Sequence, residues 1–442
     1  MKQSVSLKLA ASAVLISAAA ASMPAMAEEQ FIPSLVYRTG PYAPNGVPVA
    51  NGMNDLYALI NERDGGVNGV KLKTEECETG YATARIVECY ERLKNEGAKG
   101  ASYVHPFSTG GTFALTDKTE TDKIPIITAG YGRSESANGE TFKYNFPLGG
   151  NYWVAADILV QNLKAKMDGS LKGKKIALVY HDSPYGKEPI VALEELVKTE
   201  GFELQLIPVT HPGVEQKAAW LQIRRSRPDA VFLWGWGVMN STALKEAVAT
   251  GYPRNKMYGV WWSGGEPDVT PVGEDAKGYN ALTFLIPGGK SKMHEDIMKY
   301  VHGKSLNTGP AEEVGQVLYN RGLVSALLGV EAIRVAQGKF GKRALSGEEV
   351  RWGLENLNID EARIAELGLA GLMYPVSTSC KDHMGANTAQ IQTWNGKGWE
   401  VAPKIYKADM QILKPIQDRT ADAYAKEKNI TKRDCAKELT QG

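Results

Sequence analysis

Two spacings of apolar positions alternate along this chain. Strand-like segments, bounded by Gly, Pro or charged residues, fall at 31–37, 70–76, 100–104 and 124–128, and each predicts a strand. Between them, 50–63, 82–96 and 113–122 have helical spacing; in the second, Ile86, Val87, Tyr90 and Leu93 share one face. The pattern restarts at 174. Strands are predicted at 174–180, 203–208, 230–234 and 257–261, with helices at 188–200, 216–225 and 241–250. Repeated β-α units predict parallel sheets with helices on both faces, and two such series predict two doubly wound α/β lobes.

The later chain has the look of a return path. A strand is predicted at 282–286 and helices at 313–337 and 346–357. A hairpin is predicted at 390–399 around Asn395-Gly396, a strong turn signal. A charged tail helix is predicted at 418–439.

The first 27 residues stand outside this pattern. Lys2 and Lys8 precede an Ala-rich apolar stretch, and Ala25-Met26-Ala27 supplies a small-x-small cleavage signal. This predicts a secretory signal peptide cleaved after Ala27, and so an exported chain. Beyond it, the longest apolar run is ten residues with two glycines, too short to span a bilayer. The 51 basic and 50 acidic residues nearly cancel, so no basic field exists to attract nucleic acid or an anionic membrane.

Export makes disulfides plausible for Cys77, Cys89, Cys380 and Cys435. Cys77 and Cys89 are close in sequence and form the preferred pair. Three connectivities remain open from sequence alone. There is no C-x-x-C spacing and no clustering of cysteines with histidines, so no metal is expected.

Ligands of open parallel sheets bind beyond the carboxyl ends of strands. The loops there begin with Arg38, Thr39, Gly40, Pro41 and Tyr42. The next holds Ser108 and Thr109 ahead of a helix, whose free amides suit a carboxylate, although Ser and Thr in that position commonly just cap. The third holds Gly130, Tyr131, Gly132 and Arg133. In the second series Tyr185 follows one strand, Trp234 and Trp236 another, and Trp261 and Trp262 a third. Neighbours in a strand face opposite ways, so one Trp of each pair is expected in the crevice: Trp236, and Trp261 or Trp262. No Gly-x-Ser-x-Gly, Walker or Gly-x-Gly-x-x-Gly motif occurs, so neither an esterase elbow nor a nucleotide cofactor is indicated. His181-Asp182 is the one pair that could serve an exported hydrolase.

Several of these segments resemble the leucine/isoleucine/valine-binding type of periplasmic solute-binding protein. Thr39-Gly40-Pro41 is similar to that family's Ser-Gly-Pro loop. Residues 60–69 resemble its Ile-Asn-x-x-Gly-Gly-(Ile/Val)-x-Gly stretch with one residue added, and Tyr185-Gly186 its Tyr-Gly. The resemblance spans about 31–401. It implies a type I periplasmic-binding-protein fold: two doubly wound lobes joined by three hinge crossings. The lobes would be 28–147 with 286–376, and 148–285 with 377–402, followed by a tail at 403–442. It implies a non-enzymatic binding protein without cofactor, serving an inner-membrane ABC permease and its ATPase. Ser108, Thr109, Gly130 and Gly132 would anchor a carboxylate, with Tyr185 and Trp236 opposite and Tyr42 at the first loop. A sensory receptor domain shares this fold and is the other binding class.

Amino-acid binders of the family carry an acidic residue for the ligand ammonium where this chain has Trp261 or Trp262. Glu266 lies nearby but out of register. The expected ligand is therefore an aromatic or otherwise apolar carboxylate, with Arg38 and Arg133 as possible helpers. A branched-chain or other amino acid, and a quaternary ammonium in an aromatic cage, are the alternatives.

Overall fold

The computed structural model describes residues 29–441; the predicted signal peptide and its cleavage point lie outside them. Strand β1 (Gln30–Val36) is parallel to β2 (Leu72–Glu78), and β3 (Ile126–Ile127) is parallel to β4 (Asn145–Phe146). Single bridges from Ser34 to His105 and from Val104 to Ile126 join the two pairs. The strand expected at 100–104 is reduced to these bridges. Part of its ladder is replaced by Ser102, which donates both its amide and its hydroxyl to Phe31 O.

The second sheet contains β5 (Lys175–His181), β6 (Glu203–Val209), β7 (Ala230–Trp234), β8 (Met257–Gly259) and β9 (Asn280–Thr283). These five are parallel in the order β6-β5-β7-β8-β9. The chain then returns to the first lobe, where β10 (Asn358–Ile359) pairs with β11 (Val376–Ser377). It finally crosses back: β12 (Thr388–Trp394) lies antiparallel to β9, followed by β13 (Trp399–Val401) and β14 (Tyr406–Lys407). The predicted hairpin forms, with Trp394 opposite Trp399 and Asn395 N–H donating to Gly398 O.

Strand order reverses direction from β5 in the second sheet. In the first it reverses at β1, which has β2 on one side and the 104–105 segment on the other. Such a reversal opens a crevice at the strands' carboxyl ends. The two crevices meet, and the ligand candidates lie there.

Several boundaries differ from expectation. The first helix is Ala43–Arg63, seven residues longer at its start, because Pro44 is tolerated in the first turn. It packs against helix Val317–Phe340 at very short range. A Cβ at Gly52 would sit 2.1 Å from Tyr319 O, and one at Gly322 1.9 Å from Val49 O. Helix Tyr152–Lys166 was not predicted. It is buried on nearly every side and so has no stripe, and its first turn is capped by Asn151 Oδ1. The tail is two helices rather than one, Met410–Lys428 and Cys435–Gln441, the first ending at Asn429 in the left-handed region. Disulfides join Cys77 to Cys89 and Cys380 to Cys435. The first binds β2 to helix Thr83–Leu93, and the second holds the tail.

Candidate functional site

The loops after the strands of both lobes enclose a narrow cavity of about 20 Å³. The first lobe contributes Tyr37, Tyr81, Phe107, Ser108, Thr109 and Tyr131; the second contributes Tyr152, Tyr185, Trp236 and Trp262. Eight of these ten are aromatic, and none carries a formal charge at neutral pH. Burial holds the hydroxyls of Tyr37, Tyr81, Tyr131, Tyr152 and Tyr185 above their ordinary pKa, so they remain neutral donors. Outside lies a wider mouth of about 270 Å³, bordered by Tyr42, Gly110, His181 and His211.

The polar atoms of the wall are few and partly unpaired. Ser108 caps helix Thr109–Asp122: its Oγ accepts from Gly111 N–H at 3.2 Å and its carbonyl from Thr112 N–H. That leaves the amides of Thr109 and Gly110 as the helix's open donors. Thr109 Oγ1 is buried near the Tyr152 hydroxyl, and Tyr37 Oη lies near Trp236 Nε1. Neither contact meets hydrogen-bond geometry, so all three of Thr109 Oγ1, Tyr37 Oη and Trp236 Nε1 are unpaired. Tyr185 Oη is satisfied, donating to Gly235 O at 2.8 Å.

The lobes are closed on one another. Trp261 and Trp262 both donate their indole N–H to Gly130 O, at 2.5 and 2.7 Å. Tyr42 Oη meets His181 Nε2 at 2.7 Å, and Asn45 Nδ2 donates to Asp268 Oδ1 at 3.0 Å. Val317 N–H donates to Glu266 Oε2, and Ser134 donates its amide and hydroxyl to Glu188 Oε2. These carboxyls lie deep in the interface. Burial, with help from Glu135, pushes Glu188 up to about 8. Burial raises Glu266 to about 7 and Asp268 to about 6. It lowers His181 to about 4, leaving that imidazole neutral.

The structure gathers Ser108, Thr109, Tyr185, Trp236 and Trp262 around the cavity and puts Tyr42 at its mouth. Three expectations change. Gly130 has both backbone groups engaged: its N–H donates to Leu148 O and its carbonyl takes the two indoles. Its amide is therefore not a free carboxylate anchor. Gly132 lies where the lobes touch; a Cβ there would be 2.8 Å from Glu188 Cδ and 2.9 Å from Thr109 Cγ2. Trp261 does not reach the wall but packs edge-on against Phe284, at 5.1 Å between ring centroids.

The two arginine helpers also lie elsewhere. Arg38 pairs with Glu76 and Asn51. Arg133 pairs with Glu135 and is surrounded by Phe113, Phe142 and Tyr424. His181 Nδ1 meets Ser183 Oγ at 2.7 Å, while Asp182 turns outward to Lys187. The carboxylate needed to orient a hydrolytic histidine is thus engaged away from it.

Sequence reasoning put Phe107 and Tyr131 in the candidate loops without giving them a role, and passed over Tyr37, Tyr81 and Tyr152. Tyr37, Phe107 and Tyr131 stand at strand ends and were open to the same argument as Tyr185. Tyr81 follows β2 in a left-handed conformation, and Tyr152 opens the unpredicted helix. Arg321, buried beside Trp262, was also missed.

A family model described as periplasmic binding protein matches residues 29–398. A Leu/Ile/Val-binding protein homologue from Brucella suis is 24% identical over 333 residues, covering 72% of this chain and 81% of its own. A crystal structure described as an ABC transporter permease from the Pseudomonas fluorescens group is 44% identical. It covers 92% of this chain and 99% of its own, with a TM-score of 0.85. A branched-chain amino acid ABC transporter structure from Thermus thermophilus with bound valine shares the fold at 20% identity. Its TM-score is 0.75, covering 88% of this chain and 99% of its own. No helix among the described residues is long and apolar enough to cross a membrane.

Proposed function

The chain belongs to the periplasmic binding protein family, the substrate-binding components of ABC transporters, and from that premise we propose that it closes on a small carboxylate with an aromatic or apolar body. The observation that carries this reading is the cavity: eight aromatic side chains, no charged side chain in the wall, and a helix N-terminus with open amides beside Thr109. The aromatic faces take the ligand body, and Thr109 with the amides of Thr109 and Gly110 takes its carboxylate.

An α-amino acid fits less well. Its ammonium would be buried without an acidic partner in the wall, which is costly. Asp268 is already held by Asn45, Asn240 and Gly265, and Glu266 by Val317. The protein acts as a carrier and not an enzyme, delivering its solute to an inner-membrane permease and that permease's ATPase. It works in the periplasm after removal of the signal peptide at Ala27. Titration calorimetry with benzoate, leucine and choline tests the ligand class. Benzoate binding tightest supports the reading. Tight leucine binding refutes it, and tight choline binding selects an aromatic cation cage instead. Ligand binding should stabilise the protein against heat without turnover.

A further inference from the structure

Arg321 stands on helix Val317–Phe340, where the two lobes meet, with only 1% of its surface exposed. Its guanidinium carbon lies 5.2 Å from the Trp262 ring centroid and 5.5 Å from that of Phe284. None of its three side-chain nitrogens has a hydrogen-bond partner. A guanidinium carries five N–H donors and is ordinarily buried only with carboxylate or carbonyl partners. The obvious partners are engaged elsewhere. Asp268 accepts from Asn45 and Asn240 on Oδ1 and from Gly265 N–H on Oδ2; Glu266 accepts from Val317 N–H. Both influence Arg321 through space, and neither forms an ion pair with it.

We propose that Arg321, acting through Trp262, is the charge that selects an anionic ligand in the aromatic cavity. This rests on the reading of that cavity as the ligand site. Trp262 is at once a wall of the cavity and the ring the guanidinium faces. The wall itself supplies no formal charge; at Trp262 the charge facing the ring from behind is this cation, while Asp268 acts in the opposite sense on Tyr185. The hydroxyls of Tyr185 and Tyr152, both in the wall, feel that charge. In a closed, water-poor cleft such a field is weakly screened. It favours a carboxylate over a neutral molecule of the same shape and disfavours an ammonium. Arg321 touches no ligand in this scheme, and its role is to set specificity.

The test measures affinities of benzoate, benzamide and benzylamine, which share a ring and differ in charge. Wild-type protein should bind them in that order, benzoate at least about ten-fold tighter than benzamide, as one nearby charge in a low-dielectric site predicts. Arg321→Met should lower the benzoate-to-benzamide ratio several-fold, leaving only the preference due to the open amides at Thr109 and Gly110. Arg321→Lys, which keeps the charge, should retain most of it. A merely structural role would weaken both ligands together and leave the ratio unchanged, and that result overturns the proposal while leaving the ligand class intact. If Arg321→Met does not fold, Arg321→Gln carries the same comparison. Benzylamine binding tightest to wild type also overturns it. If wild type binds no member of the series, the ligand reading fails, and this inference with it.

Discussion

Replacing Glu188 by Gln tests whether closing the lobes takes up a proton. Glu188 belongs to the second lobe, and its Oε2 receives the amide and hydroxyl of Ser134 from the first, at 3.2 and 2.5 Å. Burial against the opposite lobe, and Glu135 nearby, raise it from its ordinary 4.5 to about 8. Opening the cleft returns the carboxyl to water and to its ordinary value. Below pH 4.5 the group is protonated in both states and closure is insensitive to it. Between 4.5 and 8 closing binds a proton, so closure weakens as pH rises. Above 8 the group is ionised in both states and the dependence ends.

These two values fix the size of the effect. Linkage gives an affinity loss of about nine-fold from pH 6 to 7 and about fifty-fold from pH 6 to 8. A carboxylate ligand stays ionised over that window and adds nothing. Glu266 and Asp268 also titrate in the interface, so the informative quantity is the difference between two proteins. Calorimetric affinities of wild type and Glu188→Gln should converge at low pH and separate as pH rises, the variant being tighter. Gln keeps an acceptor for Ser134 and has nothing to ionise. Parallel pH curves for the two proteins would refute the reasoning.

Gly132→Ala should weaken ligand binding by about 1–3 kcal/mol, the ordinary cost of overpacking, because its Cβ meets Glu188 of the other lobe only when the cleft is shut. Calorimetry measures the loss; unchanged affinity would show that the lobes have room to spare there. Trp261→Phe keeps the ring on Phe284 and deletes one of two N–H donors to Gly130 O, for an expected loss of about 1 kcal/mol in affinity. Stopped-flow release should quicken accordingly, and an unchanged rate would remove that bond from the closing interaction. Converting Cys77 and Cys89 both to Ser frees a loop of sequence separation 12 and should lower unfolding stability by about 3 kcal/mol in a urea titration. A midpoint unmoved by the double substitution would mean that the strand and helix hold together without the bridge.

The second sheet was legible because several of its strands are short apolar runs with flanking breakers, whereas the segment at 100–104 shows the same signal and forms only single bridges. Residues 230–234 were placed without error, and they are buried on both faces. Helices with one apolar face were found, whereas Tyr152–Lys166, buried all round, showed no stripe to find. Glycines and prolines misled at the start of Ala43–Arg63, where they serve close packing and first-turn geometry rather than a break. The strand-end rule singled out Ser108, Thr109, Tyr185, Trp236 and Trp262, which all line the cavity. It failed for Gly130 because the partners of that carbonyl lie 131 and 132 residues away in the other lobe. No local pattern records a contact made only when two lobes close.

The same limit explains why Trp261 and Trp262 serve different purposes. Both indoles end on one carbonyl, yet one ring packs on Phe284 while the other forms wall and faces Arg321. A Trp pair following β8 thus ties closure to the proposed site: the bonds that bring Gly130 to the second lobe also fix Trp262 in the cavity wall. On the proposed reading, a solute filling the cavity would lie against Trp262 in the position where its N–H reaches Gly130, so that binding and closing would stabilise the same arrangement. An unfilled cavity provides no such support, and the raised carboxyls and unpaired guanidinium of the interface then favour opening toward water. The difference between those two balances is what a carrier needs in order to signal that it is loaded.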